Sequence, residues 1–215
     1  VARIVIRSEG AKLIIVADPT VAEATAEGPH QFSREGDVLR VRTGEPSEDG
    51  GFRAGSGMPR WLNWLPPGPG QRRVTVRVNP LIPLELDAMA SDVEVSGLRR
   101  RLVARVNASQ FLVRDHEGSF DFSVLMSNSE VDVVLREGDS RITSDLSDVT
   151  VRLLPDSDVR VRATAKMGSV DFERSAFFAQ KNADGFTASS DAVVGAGTAS
   201  LSVEARMGAV KVRLP

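Results

Sequence analysis

A ten-residue pattern recurs six times between Leu84 and Val210. It reads LELDAMASDV from Leu84, LVARVNASQF from Leu102, FSVLMSNSEV from Phe122, SRITSDLSDV from Ser140, VRATAKMGSV from Val161 and LSVEARMGAV from Leu201. The eighth position is always Ser or Gly (Ser91, Ser109, Ser129, Ser147, Gly168, Gly208), and a large apolar residue follows two positions later. A chain that reuses one short unit at a period near 20 residues is restricted to stacked architectures, because each unit can bury its apolar face only against its neighbours. The anchors Val93, Phe111, Val131, Val149 and Val170 lie 18, 20, 18 and 21 residues apart, and Val210 follows 40 residues later.

Within each copy the first, third and fifth positions are mostly apolar or small, as in Leu84/Leu86/Ala88 and Leu201/Val203/Ala205, with polar residues between them. That alternation has the period of a half-buried strand. It resumes after the Ser/Gly position as Val93/Val95, Phe111/Val113, Val131/Val133, Val149/Val151, Val170/Phe172 and Val210/Val212. Each copy therefore predicts two short strands joined by a turn, with the small eighth residue accepting the tight or positive φ of that turn. The expected fold is all-β: a β-solenoid of stacked two-strand coils with a period of 18–21 residues. Four equivalent serines argue against any one of them being a nucleophile, which would need an activating base beside it.

The chain reads as one solenoid domain over residues 1–215. Residues 1–43 form an atypical first coil, in which Ile4, Ile6, Leu13 and Ile15 fit the repeat register with Ala11 at the turn, and Val38, Leu39 and Val41 add a strand. Residues 44–73 are a loop rich in Gly, Pro and Trp; 74–172 carry the regular repeats, 173–198 an insertion, and 199–215 the final copy. That last copy runs Ala209-Val210-Lys211-Val212-Arg213-Leu214 with no sequence cap, so an open strand edge and pairing with a second chain are expected there.

The phrases SDVEVSGL (Ser91 to Leu98), MGSVDF (Met167 to Phe172), MGAVKV (Met207 to Val212) and VRVNPLIPLEL (Val76 to Leu86) resemble the bacterial putative-adhesin family of β-strand repeats. The usual Gly-Asp-Val or Gly-Asp-Ile of that family is replaced here at many turns by Ser. The resemblance implies a β-solenoid in a scaffolding or envelope-associated role, and brings no catalytic residue with it.

Little chemistry is left once packing has been served. The outward positions around the turns gather carboxylates, Asp92, Glu94, Glu130, Asp132 and Asp148, on one face. This face reads first as a solvated surface that discourages sheet-to-sheet aggregation. It could also serve a carbohydrate-binding protein or carbohydrate-active enzyme, or gather a calcium ion, although calcium wants six or more converging oxygens and nothing here resembles an EF-hand loop. No cofactor motif is present. Gly195-Ala196-Gly197 lacks the lysine of a phosphate loop and reads as a flexible lead into the last strand. His30 and His116, the two histidines, lie far apart in turn-like contexts and suggest structural or solvent roles rather than a ligand pair. Arg99-Arg100-Arg101 is a short basic cluster for which an anionic partner is the functional alternative to plain solvation.

Trp61, Leu62, Trp64 and Leu65 form the conspicuous apolar cluster of the long loop. They either fold back over the solenoid or anchor a protein partner or a membrane interface, where Trp is favoured. A formal net charge of −2 gives no global field for nucleic acid. Cysteine is absent, which excludes disulfides. No targeting segment is visible, and since the chain begins at Val1 an upstream leader or anchor is allowed for; a bacterial envelope or cytoplasmic setting both remain open. The expectation is a non-enzymatic structural or interaction module, associating with a protein partner or with itself.

Overall fold

The computed structural model describes residues 1–43, 45–46, 52–53, 73–107, 110–173, 180–184 and 187–215. These residues are all β. In chain order the first strands are β1 (Arg3–Glu9), β2 (Lys12–Ala17), β3 (Ala24–Glu27), β4 (His30–Glu35), β5 (Val38–Thr43), β6 (Glu45–Pro46) and β7 (Phe52–Arg53). The repeats supply β8 (Arg73–Val78), β9 (Leu84–Met89), β10 (Asp92–Ser96), β11 (Leu102–Asn107), β12 (Gln110–Glu117), β13 (Phe120–Leu125), β14 (Asn128–Val134), β15 (Asp139–Asp145) and β16 (Val149–Leu153). The chain continues through β17 (Val159–Lys166), β18 (Gly168–Glu173), β19 (Gln180–Asp184), β20 (Thr187–Val194), β21 (Ala199–Ala205) and β22 (Gly208–Arg213).

Apart from the short β6–β7 pair, the strands fall into two large mixed sheets, neither closed into a barrel. The 11-stranded sheet has the order β19-β20-β17-β21-β15-β13-β11-β9-β1-β5-β4, and the nine-stranded sheet β18-β22-β16-β14-β12-β10-β2-β8-β3. From β9 to β18 the chain alternates between them, and as far as β16 like strands of successive copies lie side by side and parallel. Alternation in sequence thus becomes columns in space: Ile4, Leu84, Leu102 and Phe120 in the larger sheet, and Leu13, Val93 and Phe111 in the smaller. Both inner faces feed one continuous apolar core running from Ile4 to Leu214. The predicted anchors Val93, Phe111, Val131, Val149, Val170 and Val210 are all buried in it. Phe122 meets Phe111 edge-on at 5.2 Å and stacks on Phe120 at 4.4 Å. Complete burial of each such ring stabilises by about 1.5–3 kcal/mol.

Four details differ from the sequence reading. The copy read from Phe122 is two residues out of step, because Phe120 pairs with Leu102, and Ser129 pairs with Phe111 and Val149. Sequence alone could not separate the two settings, since Ser127 and Ser129 both offer a small turn residue and a two-residue slip keeps every side chain on its own face. Ser127 is the turn serine, and Ser129 occupies a core column.

The left-handed residue of the turn is the one before the small residue: Ala90, Met126, Leu146 and Met167 have φ of 49°, 51°, 56° and 53°. The turn serines do a different job. The Ser91 hydroxyl donates to the Met89 carbonyl (3.0 Å) and that of Ser147 to the Asp145 carbonyl (2.9 Å), while the Ser147 oxygen accepts the Ser127 amide of the adjacent copy (2.9 Å). Where Gly replaces Ser, a side chain would not fit: a Cβ on Gly168 would lie 1.9 Å from the Gly208 carbonyl oxygen.

The final copy does not end the stack. β22 lies between β16 and β18, and β21 between β15 and β17, so Val210 pairs with Val149 on one side and Val170 on the other. The expected open C-terminal edge is therefore absent: Lys211 and Arg213 belong to an interior strand. The segment preceding it contributes the antiparallel hairpin β19–β20, whose β20 covers the outer side of β17. At the other end β1–β2 is likewise intercalated, between β5 and β9 in one sheet and β8 and β10 in the other, with antiparallel β4 and β3 outermost.

His116 is the fourth difference. A bulge between Val113 and His116, with Asp115 at φ 50°, adds one residue to β12 and turns the imidazole inward beside Val133. The ring is fully buried, 6.1 Å from that of Phe120.

Candidate functional site

The acidic face is where sequence placed the most chemistry, and the fold disperses it. Asp92, Glu94, Glu130, Asp132 and Asp148 all belong to, or directly precede, strands of the nine-stranded sheet, with β12 separating β10, which carries the first two, from β14 and β16. Parallel pairing sets Arg152 directly opposite Asp132, and on the other side Arg114 lies two residues beyond Leu112, the partner of Glu130. Arg114 donates to Asp132 (2.9 Å) and Glu130 (3.2 Å), and Arg152 approaches Asp132 to 3.7 Å from the opposite side. Its hydrogen bond with Asp132 is the main reason that Arg114 holds its proton more tightly than an ordinary arginine. Asp148 accepts the Ala209 amide at 2.8 Å and Asp92 the Gln110 amide at 3.4 Å, each capping the turn of the next rung. Glu94 stands between Ile14 and Leu112 on the adjacent strands.

These carboxylates are thus mostly occupied by guanidinium groups and turn amides rather than converging on a common point. Among the described residues no group of three or more His, Cys, Asp or Glu is close enough together to hold a metal ion.

The other sequence candidates separate in the same way. Trp61, Leu62, Trp64 and Leu65 lie outside the described residues. Arg99 pairs with Glu117 at 3.1 Å, leaving Arg100 and Arg101 exposed. His30 is near the surface and bonds the Gly28 carbonyl at 2.7 Å. Gly195-Ala196-Gly197 is pinned rather than free, since Asp158 accepts the amides of Gly197 (2.5 Å) and Thr198 (3.3 Å). Burial opposes ionisation of Asp158, but these bonds outweigh it and hold the carboxyl below its usual range. Glu173 is held low as well, by Lys211 and then Arg213.

Two surface features escaped sequence reasoning. On the outer side of β1 and β5, Arg7 is paired in register with Arg42, and a shallow cleft there is lined by Val5, Arg7, Arg40, Val41 and Arg42. Arg40 is held by Glu35 at 2.9 Å and Arg3 by Glu85 at 2.6 Å. The second feature lies along the corner between the sheets, where the turn residues Met126, Leu146, Met207 and Met167 occupy four consecutive rungs with their side chains exposed. The alternation of the strands hides it, because it is formed by one residue per turn and becomes a row only after stacking.

No family model matches this chain, the bacterial adhesin-repeat resemblance included. No curated protein matches it. Among solved structures it is similar to one from Clostridium sporogenes described as a putative cell adhesion protein, with a TM-score of 0.48 and 11% identity, covering 100% of this chain and 93% of that one. Among the described residues no helix is long and apolar enough to cross a membrane.

Proposed function

We propose that the chain is a β-solenoid serving as a non-catalytic structural or interaction module, of the adhesin-like kind first suggested by its repeats and set at a bacterial envelope. The observation that carries this reading is the division of labour between the two sides of every strand. Inward, apolar columns continue from rung to rung, which makes a stiff body. Outward, Asp92, Glu130, Asp132 and Asp148 are matched to arginines or turn amides, which makes a surface fit for contact.

The architecture is tested by small-angle X-ray scattering. Nine to eleven strands at about 4.8 Å separation give a body on the order of 40–50 Å along the stack, and a distance distribution fitting a sphere of this mass would refute it. The absence of catalysis is tested with a panel of envelope and plant polysaccharides, following release of reducing ends. No turnover is expected, and hydrolysis abolished by Glu130→Gln or Asp132→Asn would replace the scaffold with a carbohydrate-active enzyme.

A further inference from the structure

The corner row of Met126, Leu146, Met207 and Met167 is costly in two independent ways. Its members are 40–60% exposed, although each is a large apolar side chain. Met126, Leu146 and Met167 also adopt φ of 51°, 56° and 53°, a region that Gly, Asn and Asp enter with much less strain than a long side chain. Turns that only had to reverse the chain would be better made with Asn or Gly. The rungs align these residues: Met126 donates its amide to Asp145 and Ser147 its amide to Met207, while Gly168 pairs with Gly208. At about 4.8 Å per rung the row is roughly 15 Å long.

We infer that this corner is a self-association surface, joining two copies of the chain antiparallel about a two-fold axis that passes between Leu146 and Met207. Charge selects that occupant and that direction. The residues preceding the row are Leu125, Asp145, Arg206 and Lys166 in rung order, so the charge changes sign at its middle. Antiparallel docking sets Asp145 of one copy against Arg206 of the other, twice by symmetry, and Met126 against Met167. Parallel docking, about an axis along the row, would carry the two charged flanks to opposite sides and leave these charges unmatched. Asp145 and Arg206 already meet within one chain at 3.3 Å, so pairing two copies builds a four-charge cluster from an existing pair. A lipid surface offers no such sign-for-sign match, since the flank's one carboxylate and two cations leave anionic headgroups a single net positive charge to attract.

Area sets the strength. Half-exposed side chains of this size offer on the order of 100 Å² each, hence about 400 Å² of apolar surface per copy and about 800 Å² per pair before the flanks are added, which is the scale of weak, reversible dimers. This surface is distinct from the C-terminal edge suggested by sequence and does not depend on the scaffold function.

Sedimentation velocity of the full chain from about 1 to 500 µM tests it. A monomer–dimer shift is expected in the upper part of that range. The triple variant Met126→Asn, Leu146→Asn, Met167→Asn should remain monomeric throughout while melting no lower than the parent, because Asn accepts the turn conformation more readily; loss of association is thereby separated from loss of folding. Since the chain has no cysteine, Leu146→Cys and Met207→Cys chains can also be mixed and oxidised. Disulfide heterodimers should form in preference to either homodimer. A parent that stays monomeric, a triple variant that still associates, vesicle binding by a monomeric parent that the triple variant loses, or preferential Leu146→Cys homodimers would each overturn the proposal.

Discussion

Acidification should weaken this fold through His116 before it does so through the carboxylates. Burial pushes the imidazole down to about 4 from 6.5, against the opposing influence of backbone groups of Ser119, Leu98 and Gly118 and the charge of Glu117; neither ring nitrogen closes a hydrogen bond of normal geometry. The folded chain therefore holds His116 neutral over a range in which the unfolded chain protonates it. Above about pH 6.5 the group contributes no pH dependence; as pH falls from 6.5 to 4 the unfolded state gains a proton that the native state refuses, and stability declines. The difference of about 2.5 pKa units corresponds to about 3 kcal/mol when complete and about 2 kcal/mol at pH 5. Asp18, Asp158 and Glu173 are held below their usual values, so their support is present above the ordinary carboxylate range and is lost on further acidification, mostly below the histidine window. Urea unfolding followed by far-UV circular dichroism at pH 7.5 and pH 5 should show the parent losing about 2 kcal/mol more than His116→Leu. An NMR titration of the imidazole gives its folded pKa directly. Parallel losses in parent and variant, or a folded pKa near 6.5, would refute the burial-based account.

Ser129→Val should raise stability by about 1 kcal/mol in urea unfolding, because the Ser129 hydroxyl is buried between Phe111 and Val149 without a hydrogen-bond partner; a loss would show that the serine has a partner or that the rung is set differently. Gly208→Ala should cost at least about 2 kcal/mol, since its Cβ would stand 2.1 Å from the Ser147 carbonyl oxygen in a backbone with φ of 139°, and an unchanged melting temperature would contradict that contact. Asp158→Ala should speed hydrogen exchange at the Gly197 and Thr198 amides while leaving strands β9–β14 protected; unchanged exchange at those two amides would show that the turn is held by something else.

The strands themselves were legible because their cause is local. Leu84, Leu86 and Ala88 alternate with polar residues, and each lies in the core as that alternation requires. Ile4 and Ile6 fit the repeat register on the same grounds, and the fold pairs them with Leu84 and Leu86. What escaped was decided elsewhere in the chain. The slot between β16 and β18 is filled by residues some 60 positions beyond β16, and nothing in MGAVKV distinguishes an inner rung from a terminal one. His116 escaped because a bulge breaks the period of two that was being counted. The turn conformation was assigned to the Ser/Gly position because those residues fit it on propensity; Gly208 does take a positive φ, but in the other described turns the fold places it one residue earlier, on Ala90, Met126, Leu146 and Met167. The acidic face was visible as a list of carboxylates, but Arg114 and Arg152 become their neighbours only through strand pairing.

The intercalated rungs bear on how such a chain is made. Residues 159–173 leave the ribosome before 199–213, yet the native neighbours of β17 and β18 on the side facing β15 and β16 are β21 and β22. During synthesis the earlier pair must either wait beside an unfilled gap or dock prematurely onto β15 and β16 and later be displaced. Growth rung by rung behind the ribosome is therefore impossible at this end, and the last step of folding is an insertion whose rate is set by how long the gap stays open. A nascent chain stalled before residue 199 would expose four incomplete strand edges at once, which makes that stage of translation, rather than the finished protein, the point most vulnerable to aggregation.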